Sequence, residues 1–464
     1  MKMLIDGELV AGARGFDVLN PADEAVLGAA PECSRAELDQ AVAAAQSAFG
    51  DWRRDIEARR KVLRGSAKVL RDNADALARL LTQEQGKPLA KAKREIGGSA
   101  RWLEYTAELE LPKETIDVDG QESVTVHHRP LGVVAAIIPW NYPVMTAVWK
   151  IAPALLAGNT VVLKPSPFTP LATLKLAELL KDIVPRGVLN VVSGGDELGA
   201  WMTGHPGVRK IAFTGSIATG KSVAMAAAPD LKRVTLELGG NDPAIVLPDA
   251  DPGAIADSLF RAAFENSGQV CVAIKRVYVP EDRYAQFAKE FVAIAGSMKL
   301  GNGLEEDTEL GPVNNRRQFE RVLELIGDAR ERGGRIAGGE RAGRQGYFIE
   351  PAIATDLPDD ARLVAEEQFG PALPLLPYRD VDDAIERANA GMFGLSASVW
   401  SADGRRAAEI ASELECGMVW VNQHLNILPE VPMGGWKWSG VGVENGLWGL
   451  LQFTEMQVVE VPRP

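Results

Sequence analysis

The sequence predicts an α/β protein with two successive parallel-sheet domains and a small separate β arm. Three observations carry that expectation. From Gly132 onward, short apolar runs alternate with amphipathic stretches, the pattern of strands and crossover helices in a sheet covered on both faces. A second series of the same kind follows Gly240. The chain has 464 residues, too many for a single core when domains typically run to ~100–200 residues.

Taken in order, residues 34–110 read as helices. In AELDQAVAAAQSAF and ARRKVLRGSAKVLRDNADALARLL, apolar side chains recur at helical spacing with charges between them. From Asp117 to Arg129 the texture changes. The turn dipeptide Asp119-Gly120 is flanked by short β-prone runs, which predicts a hairpin. GVVAAII, TVVLK, LNVV, RKIAFTG and RVTLEL then read as strands, separated by helical stretches such as LATLKLAELLKDI and KSVAMAAA. In the second series AIVL, RVYV, PLLPY, SASVW and MVWVN read as strands, with helices from Asp251 to Phe264 and around Tyr284–Ser297. Asp251 before Pro252 is a helix start: a capping carboxylate, then a proline at the first helical position. No fixed-period repeat or low-complexity tract is evident.

Composition narrows the function classes. Fifty Lys and Arg against 63 Asp and Glu give a net charge of −13. An acidic surface argues against nucleic-acid and anionic-membrane partners. The three cysteines, Cys33, Cys271 and Cys416, are too sparse for a disulfide framework and suit a reducing compartment. The histidines, His127, His128, His205 and His424, have no zinc-like spacing, so no metal is expected. MKMLIDGELV lacks the apolar core of a signal peptide, and no run of ~18 apolar residues suggests a membrane span. A cytoplasmic location is the expectation.

The loudest local pattern is Gly215-Ser-Ile-Ala-Thr-Gly220-Lys221-Ser222, which fits the phosphate loop G-x-x-x-x-G-K-[ST]. A strand precedes it and a helix follows. One candidate function is therefore a P-loop nucleotide hydrolase or kinase. That chemistry also needs a magnesium-binding Asp at the end of another apolar strand, for which Asp249 is a loose match. The other candidate is a strand–helix turn that holds a dinucleotide pyrophosphate.

Four further segments decide between them: Pro139-Trp140-Asn141-Tyr142-Pro143, Leu236-Glu237-Leu238-Gly239-Gly240, Asn266-Ser-Gly-Gln-Val-Cys271, and Glu367-Gln-Phe369-Gly-Pro371. Lys164-Pro-Ser-Pro-Phe-Thr-Pro170, Phe213-Thr-Gly-Ser216 and Pro432-Met-Gly-Gly435 with Ser439-Gly440 accompany them. In this order, and over nearly the whole chain, they resemble the aldehyde dehydrogenase superfamily. The resemblance implies an NAD(P)-dependent oxidation of an aldehyde to a carboxylic acid through a thioester on Cys271. A cysteine thiolate is the strongest nucleophile among ordinary side chains. The Asn141 amide and the Cys271 N–H become the oxyanion donors. Glu237 becomes the general base that activates water. Its apolar neighbours Leu236 and Leu238 favour a raised pKa. Relatives that pass the acyl group to coenzyme A lack a glutamate there, so the reading is hydrolytic.

The same resemblance assigns the cofactor residues. Phe213, Gly215 and Ser216 form the turn that meets the pyrophosphate, with Trp140 beside it. Lys164 binds the adenosine ribose, Glu367 the nicotinamide ribose, and Phe369 packs by the nicotinamide ring. Glu237 and Gly239 border the same site. Many NAD-preferring members carry a glutamate three residues after the lysine, where this sequence has Pro167. NAD is expected to be preferred, with NADP possible.

By family position, Tyr142, Met145, Trp149, Val270, Val272 and Met433 line the substrate tunnel; the loop Gln423–Glu430 departs from the family's common patterns, and His424 within it is a candidate for the tunnel mouth. With no arginine among them, an uncharged aliphatic or aromatic aldehyde is the expected substrate. The domain assignment follows: a Rossmann-like dinucleotide-binding domain over 1–116 and 131–240, a catalytic domain over 241–435, and an oligomerisation arm over 117–130 and 436–464. A homodimer or homotetramer is expected, since exposed strands call for a partner.

Overall fold

The computed structural model describes residues 1–118, 122–343 and 345–462; the Asp119-Gly120 turn lies outside them. The chain opens with β1 (Met3–Ile5), β2 (Glu8–Val10) and a hairpin of β3 (Arg14–Leu19) and β4 (Val26–Glu32). Four helices follow: α1 (Arg35–Trp52), α2 (Ile56–Asp72), α3 (Ala74–Gln85) and α4 (Leu89–Glu108). Ser34 and Glu37 cap α1 reciprocally. After β5 (Glu114–Val118) and β6 (Glu122–Pro130) the alternation begins: β7 (Val133–Ile137), α5 (Pro143–Ala157), β8 (Thr160–Lys164), α6 (Leu171–Leu180), β9 (Leu189–Val191), α7 (Asp196–Gly204), β10 (Lys210–Thr214), α8 (Ile217–Ala227) and β11 (Arg233–Glu237).

The second series runs β12 (Asp242–Val246), α9 (Pro252–Phe264), β13 (Ile274–Pro280), α10 (Tyr284–Ser297), α11 (Arg316–Glu331), β14 (Arg335–Ala337), β15 (Ala352–Thr355), α12 (Arg362–Ala365), β16 (Ala372–Tyr378), α13 (Val381–Asn389), β17 (Ser396–Trp400), α14 (Gly404–Ala411) and β18 (Met418–Val421). The chain closes with β19 (Gly440–Val441), α15 (Gly446–Leu451) and β20 (Thr454–Pro462).

These strands make two large sheets. The eight-stranded sheet has the order β19-β11-β10-β7-β8-β9-β1-β2. Its centre is parallel, while β1, β2 and β19 are antiparallel additions at its edges. The seven-stranded sheet has the order β14-β15-β16-β13-β12-β17-β18, parallel throughout except for β14. Strands β7, β8, β10, β12, β13 and β17 are buried along their whole length. Helices cover both faces, which is why those segments read as largely apolar runs and not as alternation.

The strands β1 and β2 fall in a stretch that sequence periodicity left unread, because three-residue edge strands carry no pattern. At the C-terminus, β19 pairs with Leu236 and Glu237 in the eight-stranded sheet, and α15 lies against α5. β20 instead pairs antiparallel with β6, in a three-stranded sheet with β5. Within 436–464, β19 thus belongs to the eight-stranded sheet and β20 to the three-stranded one.

Candidate active site

The carboxyl end of β7 opens into Pro139–Tyr142, and Pro143 starts α5. Asn141 lies in this turn, 5 % exposed. Its side-chain amide donates to the Gln269 carbonyl at 3.0 Å, which leaves its second N–H free. Its own carbonyl accepts from Lys87 Nζ at 2.8 Å and from Asn266 Nδ2 at 3.3 Å.

The turn before Cys271 is strained. Asn266, Ser267 and Gly268 have φ of 50°, 55° and 74°, three consecutive left-handed residues where only glycine is at ease; each of the others costs ~1–2 kcal/mol. The strain is held by buried contacts. Ser267 Oγ donates to Gly311 O at 2.7 Å, Gln269 Nε2 donates to Asn266 O at 2.7 Å, and Lys275 Nζ donates to Gly268 O. A Cβ at Gly268 would run into the Gly370 carbonyl. The turn delivers a half-buried Cys271, whose backbone N–H donates to none of the described residues.

Glu237 ends β11, 3 % exposed, with its Oε1 buried and unpartnered among the described residues. Burial, and then the nearby Glu444 carboxylate, push its pKa up to about 8, against the opposing pull of Lys150 and the Cys271 thiol. Burial, and then the Glu237 charge, likewise hold the Cys271 thiol well above the ordinary thiol range. The thiol and the carboxyl therefore face each other with protons still on them near neutrality.

Asn141, Glu237 and Cys271 meet in one cavity of about 650 Å³. Its lining includes Trp140, Gly215, Ser216, Gly239, Glu367 and Phe369. The Phe369 ring meets the Trp140 ring edge-on at 5.3 Å, and Glu367 Oε1 accepts from the Gly240 N–H at 3.1 Å. Burial raises the Glu367 carboxyl, offset by the Lys275 ammonium. Tyr142, Met145, Trp149, Val270 and Val272 line the same cavity. A larger hollow, about 840 Å³, lies between α10 and the segment 337–351. It holds Glu305 and Glu350 but no nucleophile, so the chemistry belongs to the first.

Four of the singled-out residues stand off the cavity lining. Phe213 is core, 5 % exposed, with its ring against Gly215. Lys164, 4 % exposed, makes one long bond to the Pro165 carbonyl at 3.4 Å, and burial lowers its pKa to about 8. Met433 is buried and exchanges backbone hydrogen bonds with Glu444 at 2.9 and 2.7 Å. His424 Nε2 donates to the Val272 carbonyl at 2.7 Å beside the Trp420 ring. Burial lowers its pKa to about 3, so it is a neutral clamp on the residue after Cys271.

Sequence reasoning missed other members. Arg94, Gly98 and Trp102 line the cavity from one face of α4; their i, i+4, i+8 spacing was the available signal. Arg321 lines it too, paired with Glu366. The expectation of a cavity without arginine is therefore corrected. The Lys87–Glu95 and Lys150–Glu444 pairs, both buried, gave no signal in the sequence.

The phosphate-loop reading fails on geometry. The helix already begins at Ile217, capped by Ser216, so residues 217–220 are helical and no extended loop exists to wrap a triphosphate. Lys221 is exposed and rests over the Trp438 ring at 3.2 Å. Asp249 is committed to Ser401 and Asp403 in the turn between β17 and α14.

A dinucleotide does fit. The N-terminus of α8 opens onto the cavity through Gly215 and Ser216. A Cβ at Gly239 would displace the Glu367 carboxylate from its present position. Lys164 keeps nearly unsatisfied donors beside the end of β8. Among the described residues, no group of His, Cys, Asp and Glu is arranged to hold a metal.

Comparison with known proteins agrees. The family model described as "Aldehyde dehydrogenase family" matches residues 10–459. The chain is 42 % identical to a phenylacetaldehyde dehydrogenase of Pseudomonas fluorescens, over 98 % of this chain and 94 % of that one. It superposes on the NAD+ complex of an aldehyde dehydrogenase from Bacillus cereus with TM-score 0.98 and 38 % identity, covering 100 % of this chain and 96 % of the other. An E. coli NADP-dependent enzyme matches with TM-score 0.97 and 38 % identity, over 100 % and 98 %. Ordered segments, fold and cavity converge: the chain belongs to the aldehyde dehydrogenase family and is an NAD(P)-dependent, aldehyde-oxidising enzyme.

Proposed function

We propose that Cys271 is the nucleophile, Asn141 an oxyanion donor and Glu237 the general base of a hydrolytic aldehyde oxidation. The observation that carries this reading is the buried Glu237 carboxyl, one oxygen unpartnered among the described residues, facing the Cys271 thiol in one cavity with the Asn141 amide. The Cys271 thiol gives up its proton to solvent and its sulfur bonds to the aldehyde carbon, while the carbonyl π pair moves onto oxygen. The negative charge that develops on oxygen is met by the free Asn141 N–H and the uncommitted Cys271 N–H. The nicotinamide of NAD(P), when bound, supplies the hydride acceptor. The thioester left on Cys271 is then attacked by water, whose proton passes to the ionised Glu237 carboxylate; the C–S bond breaks, the acid leaves, and the sulfur takes that proton back from Glu237 to restore the thiol.

Trp140, Gly215, Ser216, Gly239, Glu367 and Phe369 hold the cofactor, with Lys164 on its ribose and Phe213 beneath the turn. NAD is preferred and NADP tolerated, because Pro167 offers no charge against a 2′-phosphate. The substrate is an uncharged aliphatic or aromatic aldehyde, because Tyr142, Met145, Trp149, Val270 and Val272 present apolar and aromatic surface to the thiol. Arg94 supports a second reading. It is exposed on the cavity lining and makes no hydrogen bond or ion pair among the described residues, so an anionic far end of a longer aldehyde has a cation to meet.

The three-stranded sheet supports a homodimer or homotetramer. Met456, Val458 and Val461 are 75, 61 and 55 % exposed on β20, apolar surface on both faces that a partner copy would cover. The free cysteines Cys33, Cys271 and Cys416 suit a reducing, cytoplasmic location. No helix among the described residues is long and apolar enough to cross a membrane.

The test is reduction of NAD and NADP by the purified enzyme over hexanal, benzaldehyde, phenylacetaldehyde and succinic semialdehyde, beside Cys271→Ala. Turnover lost in the variant supports the thioester route. Preference for succinic semialdehyde that disappears in Arg94→Ala would replace the uncharged substrate with the anionic one.

A further inference from the structure

Lys87 is an unusual lysine. It sits in the turn between α3 and α4, after Gly86 at φ 102°, and is 1 % exposed. Its Nζ lies 2.5 Å from Glu95 Oε2 and 2.8 Å from the Asn141 carbonyl oxygen, and 3.6 Å from the centre of the Tyr142 ring. Two hydrogen bonds and one aromatic face use the three N–H bonds of the ammonium without water. Glu95 is equally buried, at 3 %. Its other oxygen accepts the N–H groups of Val144 at 3.0 Å and Met145 at 3.2 Å. These are first-turn donors of α5 that no intrahelical carbonyl serves, and a carboxylate there also meets the positive end of the helix dipole.

The pair thus grips the Pro139–Pro143 turn from both ends. The ammonium holds the backbone of Asn141, and the carboxylate holds the start of the helix that follows. Between the two grips lies the peptide whose side-chain amide points toward the Cys271 turn through Gln269.

We infer that Lys87 and Glu95 are positioning residues for the oxyanion donor: they fix the backbone of Asn141 so that its amide is already in place when charge develops on the substrate oxygen. This rests on the reading of Asn141 as that donor. Stability alone does not call for such a device, because a buried ion pair is often matched by apolar residues of similar volume. Preorganisation does, because a donor displaced by ~1 Å from the oxyanion loses much of its effect.

Removing only one partner leaves a bare buried charge and endangers folding. The variant to make is therefore Lys87→Met with Glu95→Gln, in which the glutamine oxygen still accepts from Val144 and Met145. It is compared with Asn141→Ala and with all three changes together. Folding and assembly are checked by near-UV circular dichroism and light scattering, and the cysteine by its alkylation rate with iodoacetamide, a reaction that needs no oxyanion site. The expected result is a folded enzyme with an unchanged alkylation rate, KM for NAD within ~2-fold, and kcat/KM for aldehyde down by ~10–100-fold, part of the ~100–1000-fold typical of losing a donor outright. With Asn141 already removed, the further loss shrinks to less than ~2-fold, because both changes act through one group. Losses that multiply in the combined variant would overturn the inference, as would full activity in the paired variant while Asn141→Ala is impaired. Full activity in Asn141→Ala itself would instead overturn the oxyanion reading on which it rests.

Discussion

The Lys150 ammonium lies 2.5 Å from the Glu444 carboxylate, with both side chains shut away from solvent. Lys150 also donates to Thr214 Oγ1 at 2.7 Å, and Thr214 is the cross-strand neighbour of Glu237. This pair sets the electrostatic background of Glu237: Glu444 raises its pKa and Lys150 lowers it, while burial dominates both. With a pKa of about 8, Glu237 is largely protonated at neutral pH, so thioester hydrolysis should speed up as pH rises through that value. Glu444→Gln removes the repelling anion and moves the limb to lower pH. Lys150→Met removes the attracting cation and moves it to higher pH. Each single change bares a buried charge at a cost of ~3–5 kcal/mol, so kcat profiles are best recorded at low temperature, together with the double variant, whose limb should fall between the two. Limbs that coincide in all of them would disconnect the pair from the base.

Glu237→Gln separates the two halves of the reaction. The thiol remains, so acylation should proceed, while water is no longer activated. A stopped-flow trace should show a burst of about one reduced cofactor per active subunit, then a steady rate ~100–10,000-fold below the parent, the usual range for a lost general base. A steady rate reduced without a burst would place the role of Glu237 before hydride loss.

Lys221 offers a clean test of the discarded phosphate-loop reading. It lies over the Trp438 ring on the surface, a contact worth ~0.5–1 kcal/mol. Lys221→Ala should leave NAD-dependent turnover within ~2-fold and shift thermal stability only slightly. Magnesium-dependent ATP hydrolysis that vanishes in this variant is the contrary outcome.

How much of this was legible follows from how each feature is encoded. The central strands were readable because both faces are covered and their residues are apolar throughout, as in Val133–Ile137. The order of the segments around Asn141, Glu237, Cys271 and Glu367 carried the site: the first two lie at or just after strand ends, the last two in the turns between a helix and the next strand. Lys87 and Glu95 were not readable. In GKPLAKAKREIGG they are charges among charges, indistinguishable from a solvated helix face until α5 packs against α4. His424 and Met433 show the opposite failure: they are near the cavity in sequence terms, yet hydrogen bonds to Val272 and Glu444 hold them behind its wall. The look-alike loop at 215–222 misled because a pattern of residue types does not say where the helix starts; Ser216 caps it four residues too early for a phosphate loop.

Pro167→Glu tests cofactor choice. The residue follows the strand end that carries Lys164 and is half-buried. A carboxylate there would accept from ribose hydroxyls but repel a 2′-phosphate. kcat/KM with NADP should fall by ~10-fold or more, the equivalent of ~1.4 kcal/mol, while NAD is unchanged or improved. Equal effects on both cofactors would move the discriminating contact elsewhere.

The last prediction concerns the three-stranded sheet. β20 exposes Met456 and Val458 on the same face, two residues apart. If a partner copy covers that face, Met456→Lys with Val458→Lys buries two unpaired cations on assembly and should shift the enzyme to a smaller species in light scattering. The residues lie far along a strand that pairs only with β6, so the fold of the subunit should survive, and its cavity residues are untouched. The smaller species should therefore still bind cofactor and alkylate at Cys271. An unchanged particle mass would assign the assembly to another surface, for which the exposed Trp436, Trp438 and Trp448 near β19 and α15 are the next residues to substitute.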